Sequence, residues 1–400
     1  MQPCDSSNTR RLIILGSTGS IGVNTLDVVE HLAGLTGDLQ RNFEVAGLAA
    51  GRNAELLETQ ANRHMVCDIA IVEPSSETSF NSSRRVRTGR DAACQLVRDI
   101  ARPGDLVVAA MVGSAGIPAV LEAIQIGCDI ALANKETLVA AGGLVTAAAA
   151  ASGSRILPID SEHSAVFQAM HGGRGPEEVS KVVLTASGGP FREWSMDRMK
   201  VATIDDALAH PTWKMGRKVT IDSASLMNKG LELIEAHWLF DLPAEKLDAI
   251  VHPQSIVHSF VEFIDGSVIA QLSPPDMRMP IQYTLTWPDR ATASSPRLDF
   301  TELRSLVFEN IDHARFPAIR LAMEVIASGG TAGAIFNAAN ETAVEAFLKG
   351  AIPFGRLSDL VVEAMNRIPV SEADSMATIE AADRQARELV QNLAGMVPST

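Results

Sequence analysis

The chain has 400 residues, a formal net charge of −14 and a hydrophobic fraction of 46%. That length exceeds what one core ordinarily supports, so two or three domains are expected. The acidic balance, with one Tyr and four Trp, argues against nucleic acid or an anionic membrane as the main partner.

The N-terminal run MQPCDSSNTRR lacks an apolar leader core. Cys4, Cys67, Cys94 and Cys128 form no CxxC pair, which suits reduced thiols and a cytoplasmic protein. The longest apolar stretch, LVTAAAAA, is well short of the ~20 residues that a membrane span needs.

Up to about residue 160, strand and helix patterns alternate. RLIIL (11–15), FEVAGLAA (43–50), DIAIV (68–72), DLVVAAM (105–111), DIALA (129–133) and RILPI (155–159) read as strands. Helical runs such as IPAVLEAIQIG and KETLVAAGGLVTAAAAAS fall between them. The alternation predicts a Rossmann-like, doubly wound parallel sheet of the α/β class over 1–160.

Directly after the first strand, LGSTGSIG places Gly16, Gly19 and Gly22 at the mouth of a helix. Glycines there let a backbone approach a pyrophosphate on the helix N-terminus, although a tight strand–helix turn needs glycine without any ligand. The second strand ends in Gly51-Arg52-Asn53 with no acid. A cation and an amide suit a 2′-phosphate, favouring NADP over NAD; the plain alternative is an exposed arginine. LANKETL then sets Asn134, Lys135 and Glu136 at a strand end, where doubly wound sheets bind ligands. A lysine opening a helix opposes the helix dipole, which hints at an anionic or polar ligand.

PIDSEHSA places Asp160 and Glu162 two apart after RIL, on one side if the strand continues. Such a pair reads as an acid/base dyad, a helix cap with its first-turn acid, or metal ligands. His163 reads as a hydrogen-bonding support.

Beyond 180 the pattern changes to an α+β domain over 161–287. KVVLTASGGPF is a strand entering a glycine loop that holds Ser187, and AHPTW carries His210. IDSAS supplies Ser223 and Ser225, and MNKGLELIEAHW supplies Asn228, Lys229, Glu232 and Glu235 on a helix. Loop Ser, Asn, Lys and His near a helix start make an anion site, though each singly is more often a cap. A third acid favours a hard cation held by oxygens, Mg²⁺ or Mn²⁺. SIVHSFVEFIDGSVIAQLS is a hairpin across Asp265-Gly266, with His258 structural. A Pro/Ser-rich linker follows over 288–312, and 313–400 reads as a helical domain.

The runs LGSTGSIG, LANKETLV, PIDSEHSA, LTASGGPF, HPTWKMGRKVTIDSASLMNKGLELIEA, VHPQSIVHS and NAANETAV together resemble the 1-deoxy-D-xylulose 5-phosphate reductoisomerase family. The resemblance implies rearrangement of that sugar phosphate, most simply by retro-aldol and aldol steps, and reduction to 2-C-methyl-D-erythritol 4-phosphate for isoprenoid precursor synthesis. It implies NADPH contacts at Thr18, Gly19, Ser20, Ile21, Gly51, Arg52, Asn53, Asn134, Glu136 and Gly216. It implies a divalent metal (Mg²⁺ or Mn²⁺, with Co²⁺ a third candidate) on Asp160, Glu162 and Glu232. Substrate would meet Lys135, Ser161, Glu162, Ser187, His210, Ser223, Asn228, Lys229 and Glu232, with Glu162, Lys135, His210 and Lys229 as the catalytic set. Trp213 and Met215 would lie on a covering loop, and the enzyme would be a homodimer. Two other readings stay open: another NADP-dependent sugar-phosphate or semialdehyde oxidoreductase, and a non-catalytic NADP-binding regulator.

Overall fold

The computed structural model describes residues 9–36, 40–74, 80–213 and 215–396. Cys4, and Lys214 within the HPTWKMGRK run, lie outside them. The chain forms two compact units. The first takes in the described residues of Met1–Thr137 together with Val145–Ser164 and Asp276–Arg297. The second takes in Leu138–Leu144, Ala165–Pro275 and the described residues of Leu298–Thr400.

In the first unit the apolar runs become strands β1 (Thr9–Leu15), β2 (Asn42–Ala50), β3 (Asp68–Ile71), β4 (Arg85–Thr88), β5 (Leu106–Ala109), β6 (Asp129–Leu132) and β7 (Ile156–Pro158). They form one parallel sheet in the order β4-β3-β2-β1-β5-β6-β7, so the direction of winding reverses between β1 and β5. Strands buried on both faces read as continuous apolar runs, which is why these stood out in the sequence. Helices α1 (Ser20–Ala33), α2 (Ala54–Arg63), α3 (Ala92–Ile100) and α4 (Ile117–Ile126) connect them. Helices α5 (Glu136–Ser152) and α6 (Ser161–Met170) begin in this unit. One core runs from Leu12 and Ile14 through Val28, Leu48 and Ile69 to Ile281 and Leu285.

Strand β4 has no counterpart in the sequence reading. RVRT holds one apolar residue, and its edge position is secured by charge: Arg85 and Arg87 both reach Asp68. A short arginine-rich edge also resists pairing with another sheet.

The second unit has β8 (Val179–Ala186), α7 (Met196–Lys200), α8 (Ile204–Leu208), α9 (Arg217–Ala224), α10 (Met227–Phe240), β9 (Leu247–Val251), β10 (Val257–Phe263) and β11 (Val268–Leu272). The sheet runs β11-β10-β8-β9, parallel only between β8 and β9. The hairpin turns at Asp265-Gly266 as expected, with Gly266 at φ 83° and Ser267 N–H donating to Asp265 Oδ1 at 2.9 Å. After α11 (Arg278–Thr286), which belongs to the first unit, come α12 (Ala318–Ser328), α13 (Ala332–Leu348), α14 (Arg356–Arg367) and α15 (Met376–Leu393). The region after 313 is therefore helical, as its pattern predicts. No described helix is long and apolar enough to cross a membrane.

The compact units cut across the linear segments 1–160, 161–287, 288–312 and 313–400. Helix α11 buries Ile281 and Leu285 in the first core, and Thr284 Oγ1 donates to Pro158 O at 2.7 Å. The Pro/Ser-rich stretch after it is tied down: Gln282 Nε2 donates to the carbonyls of Ala291 and Thr292, and Gln282 Oε1 accepts from Ser294 N–H. Proline and serine disfavour regular elements, yet they leave backbone carbonyls free for a buried glutamine.

Candidate active site

At the end of β1 the three glycines have distinct tasks. Gly16 has φ +96°, and a Cβ there would sit 2.4 Å from Ala110 O, at the end of β5. At Gly22 a Cβ would lie 2.4 Å from Gly16 O, so glycine allows helix and strand to close. Gly19 is different: its nearest contact would be a tolerable 3.4 Å. It occupies the N-cap of α1 with no side-chain cap and no acid in the first turn. The α1 amides are thus available to an anion. A cavity of ≈ 270 Å³ opens here, lined by Gly16, Thr18, Gly19, Gly51 and Met111 among others. It lies outside the carboxyl ends of the strands at the winding reversal, the usual dinucleotide position.

At the end of β2, Asn53 Oδ1 accepts from Leu56 N–H at 3.1 Å and caps α2. Arg52 is exposed and pairs with Glu73 at 2.7 Å, an acid the sequence reading does not single out. Its clue was position: Glu73 follows the neighbouring strand β3.

Asn134 is buried and locks the turn between β6 and α5. Its amide donates to the carbonyls of Met111 and Gly113 and to Glu136 Oε2, while its oxygen accepts from Thr137 N–H at 2.9 Å. The neighbouring Lys135 opens α5 against the helix dipole, and Asp160 supplies its anion within the protein.

Asp160 and Glu162 do not share a strand face, because β7 stops at Pro158 and α6 starts at Ser161. Asp160 Oδ1 accepts from Glu162 N–H at 3.1 Å, so Asp160 caps α6. Ser161 Oγ instead donates to Glu162 Oε2 at 2.5 Å. His163 is fully buried with Nδ1 3.5 Å from Asp160 Oδ1.

In the second unit, Ser187 Oγ and His210 Nε2 lie 3.0 Å apart. His210 Nδ1 accepts from the backbone N–H of Thr212 at 3.2 Å and of Trp213 at 2.9 Å. With Nδ1 accepting, the ring proton sits on Nε2 and donates to Ser187 Oγ. That oxygen also accepts from Gly189 N–H at 3.2 Å, which turns the hydroxyl hydrogen outward. Burial pushes the His210 pKa below its ordinary value.

Helices α9 and α10 join through Leu226 in the left-handed region, φ 59°. Ser225 Oγ donates to the carbonyls of Ile221 and Asp222 at the end of α9. On α10, Lys229 and Glu232 form a buried ion pair, and Asn228 Nδ2 donates to the second Glu232 oxygen. Ser223 and Glu235 are buried, and Gly216 is the N-cap of α9. Trp213 stacks edge-on to His258, whose Nε2 lies 3.0 Å from Ser273 Oγ. That supports a structural histidine.

A doubly wound sheet with a glycine turn at its winding reversal, in a chain whose carboxylates are countered by lysines, marks the class of dinucleotide-dependent oxidoreductases. Three successive segments match models of one family: residues 12–142 match 1-deoxy-D-xylulose 5-phosphate reductoisomerase, 156–240 its C-terminal domain, and 272–389 the DXP reductoisomerase C-terminal domain. The reductoisomerase of Symbiobacterium thermophilum is 47% identical over 387 residues, 94% of this chain and 97% of that one. That of Chloroherpeton thalassium is 45% identical over 390 residues, 96% and 98% of the two chains. The solved enzyme of Zymomonas mobilis in complex with NADPH is 41% identical with a TM-score of 0.87, covering 98% of this chain and all of that one. A second structure, in complex with NADPH, fosmidomycin and magnesium, is 34% identical with a TM-score of 0.88, covering 96% and 98%. The chain belongs to the 1-deoxy-D-xylulose 5-phosphate reductoisomerase family and is an enzyme, an oxidoreductase.

Proposed function

We infer that the protein converts 1-deoxy-D-xylulose 5-phosphate to 2-C-methyl-D-erythritol 4-phosphate with NADPH and a divalent metal, in the non-mevalonate route to isoprenoid precursors. The observation that carries this is the match to the family in three consecutive segments over nearly the whole chain. The solved relatives that hold NADPH and magnesium support both cofactors.

The residues fit both groups. As the resemblance implies, Asp160, Glu162 and Glu232 would hold the ion. An all-carboxylate donor set suits Mg²⁺ or Mn²⁺, and two of the three acids already hold a lysine as counter-cation. For NADPH, the α1 N-terminus offers amides to the pyrophosphate, and Thr18, Gly19, Ser20 and Ile21 form the turn. Gly51, Arg52 and Asn53 would hold the adenosine end, where Arg52, now paired with Glu73, would offer a cation to the 2′-phosphate. Asn134 and Glu136 hold the turn after β6, and Gly216 would contact the cofactor, as the resemblance implies.

When bound, the metal supplies Lewis-acid polarisation of substrate oxygens and NADPH supplies hydride. Ser187, His210, Ser223, Asn228 and Lys229 bind the phosphate and nearby hydroxyls. Neutral His210 does so through Ser187, whose Oγ accepts its Nε2–H and whose hydroxyl hydrogen is left for the phosphate. Lys135 and Ser161 orient the substrate backbone, and Glu162 holds or moves a proton at its Oε2, where the Ser161 hydroxyl donates. Phosphate binding remote from the reacting carbons steers the chain into place and excludes water.

The test is loss of NADPH absorbance on adding the deoxyxylulose phosphate, with and without Mn²⁺. Metal-dependent oxidation is expected. Oxidation without metal would favour a different sugar-phosphate oxidoreductase, and cofactor binding without turnover would favour a regulator. A homodimer is supported by β11, an edge strand that exposes Val268 and Ile269; light scattering measures it. The free thiols of Cys67, Cys94 and Cys128 support a reducing, cytoplasmic setting.

A further inference from the structure

The run NAANETAV has no part in the chemistry above, yet its two asparagines are buried in α13. Asn340 Nδ2 donates to Asp222 Oδ1 at 2.8 Å across 118 positions of sequence. Asp222 is 1% exposed, and its other oxygen lies 3.1 Å from Lys218 Nζ, one turn earlier on α9. A buried carboxylate is costly unless paired and hydrogen-bonded, and an apolar contact would join two helices at less cost. The polar contact therefore does something packing alone does not.

We propose that Asn340 is a positioning residue that sets the rotation of α9 and so aims Ser223 at the substrate phosphate; this rests on the phosphate-binding role given to Ser223 above. Successive helical residues point about 100° apart. Pinning Asp222 to α13 turns Ser223 away from α13. The Ser223 carbonyl backs onto Gly189, where a Cβ would approach to 2.4 Å, so α9 meets the Ser187 loop with no slack. Lys218 on α9 pairs with Asp222, and Glu341, next to Asn340 on α13, pairs with Arg387 of α15, which also holds Asp383.

Asn340→Ala should raise KM for the deoxyxylulose phosphate roughly tenfold, as expected for losing a hydrogen bond to a buried charge, with kcat changed less and KM for NADPH unchanged. An unaltered KM in folded protein, or a common fall of all parameters with thermal stability, would make Asn340 a packing residue and overturn the proposal. Asn340→Asp supplies a second variant should the alanine not fold. At low pH the new acid stays protonated and donates to Asp222, keeping KM near wild type. As pH rises the two carboxylates repel and KM climbs. A KM that ignores pH would equally overturn the proposal. Ser223→Ala separates the two readings. If it leaves KM unchanged, the phosphate role of Ser223 is wrong. If it raises KM, but its effect simply multiplies with that of Asn340→Ala, only the positioning role fails.

Discussion

Lys135 and Asp160 hold each other as an ion pair, each about an eighth exposed, at the start of α5 and the cap of α6. A proposed metal ligand is thus occupied by an ammonium until a cation displaces it. Such competition has a measurable sign. Lys135→Met should bind Mn²⁺ severalfold more tightly in the absence of substrate, since about 1 kcal/mol of pairing no longer has to be broken. Turnover should fall because the substrate contact is lost. Manganese affinity at or below wild type, in a titration of the ligand-free protein, would remove the competition.

The second lysine–carboxylate pair, Lys229 with Glu232, is almost wholly buried. Removing one partner strands a charge. Lys229→Met or Glu232→Leu alone should destabilise the fold by about 3–5 kcal/mol, and the double variant by clearly less. Chemical denaturation of the three proteins checks this; additive losses would contradict it.

Two glycines of one turn should respond in opposite ways to alanine. Gly22→Ala drives a Cβ to 2.4 Å from Gly16 O and should cost several kcal/mol of stability. Gly19→Ala meets nothing nearer than 3.4 Å and should melt close to wild type. Its methyl nevertheless stands where the pyrophosphate approaches, so KM for NADPH should rise about tenfold or more. Equal thermal shifts in both variants would refute this assignment.

His210 should remain neutral through the working pH range, with its proton on Nε2. Its folded pKa lies below the unfolded value because burial disfavours the imidazolium. Between those two values the unfolded chain binds more protons, so stability rises with pH. The contribution is complete above about pH 6.5 and is lost as pH falls through the folded pKa. Nitrogen NMR shifts of the ring report both tautomer and titration; an Nδ1–H tautomer would contradict the two backbone donors.

Much of this was legible in the sequence for identifiable reasons. Parallel strands buried on both faces spell continuous apolar runs, and the Asp265-Gly266 turn announces its hairpin. The glycine spacing after β1 marks the tight strand–helix turn. Strand β4 was invisible because its residues are held by charge, Arg85 and Arg87 on Asp68, and not by apolar burial. The expectation of a continued strand through Asp160 and Glu162 failed at Pro158, where α6 follows at once and Asp160 becomes its cap.

Residue type and local spacing by themselves determined the chemical inventory: a glycine turn at a helix N-terminus, carboxylate oxygens, and lysines to counter them. Tertiary structure alone decided the pairings. It set Lys135 on Asp160 in the first unit and Asn340 on Asp222 in the second. Those two contacts join groups 25 and 118 positions apart in a desolvated interior. There an unpaired charge costs several kcal/mol, and no local pattern records which partner relieves it.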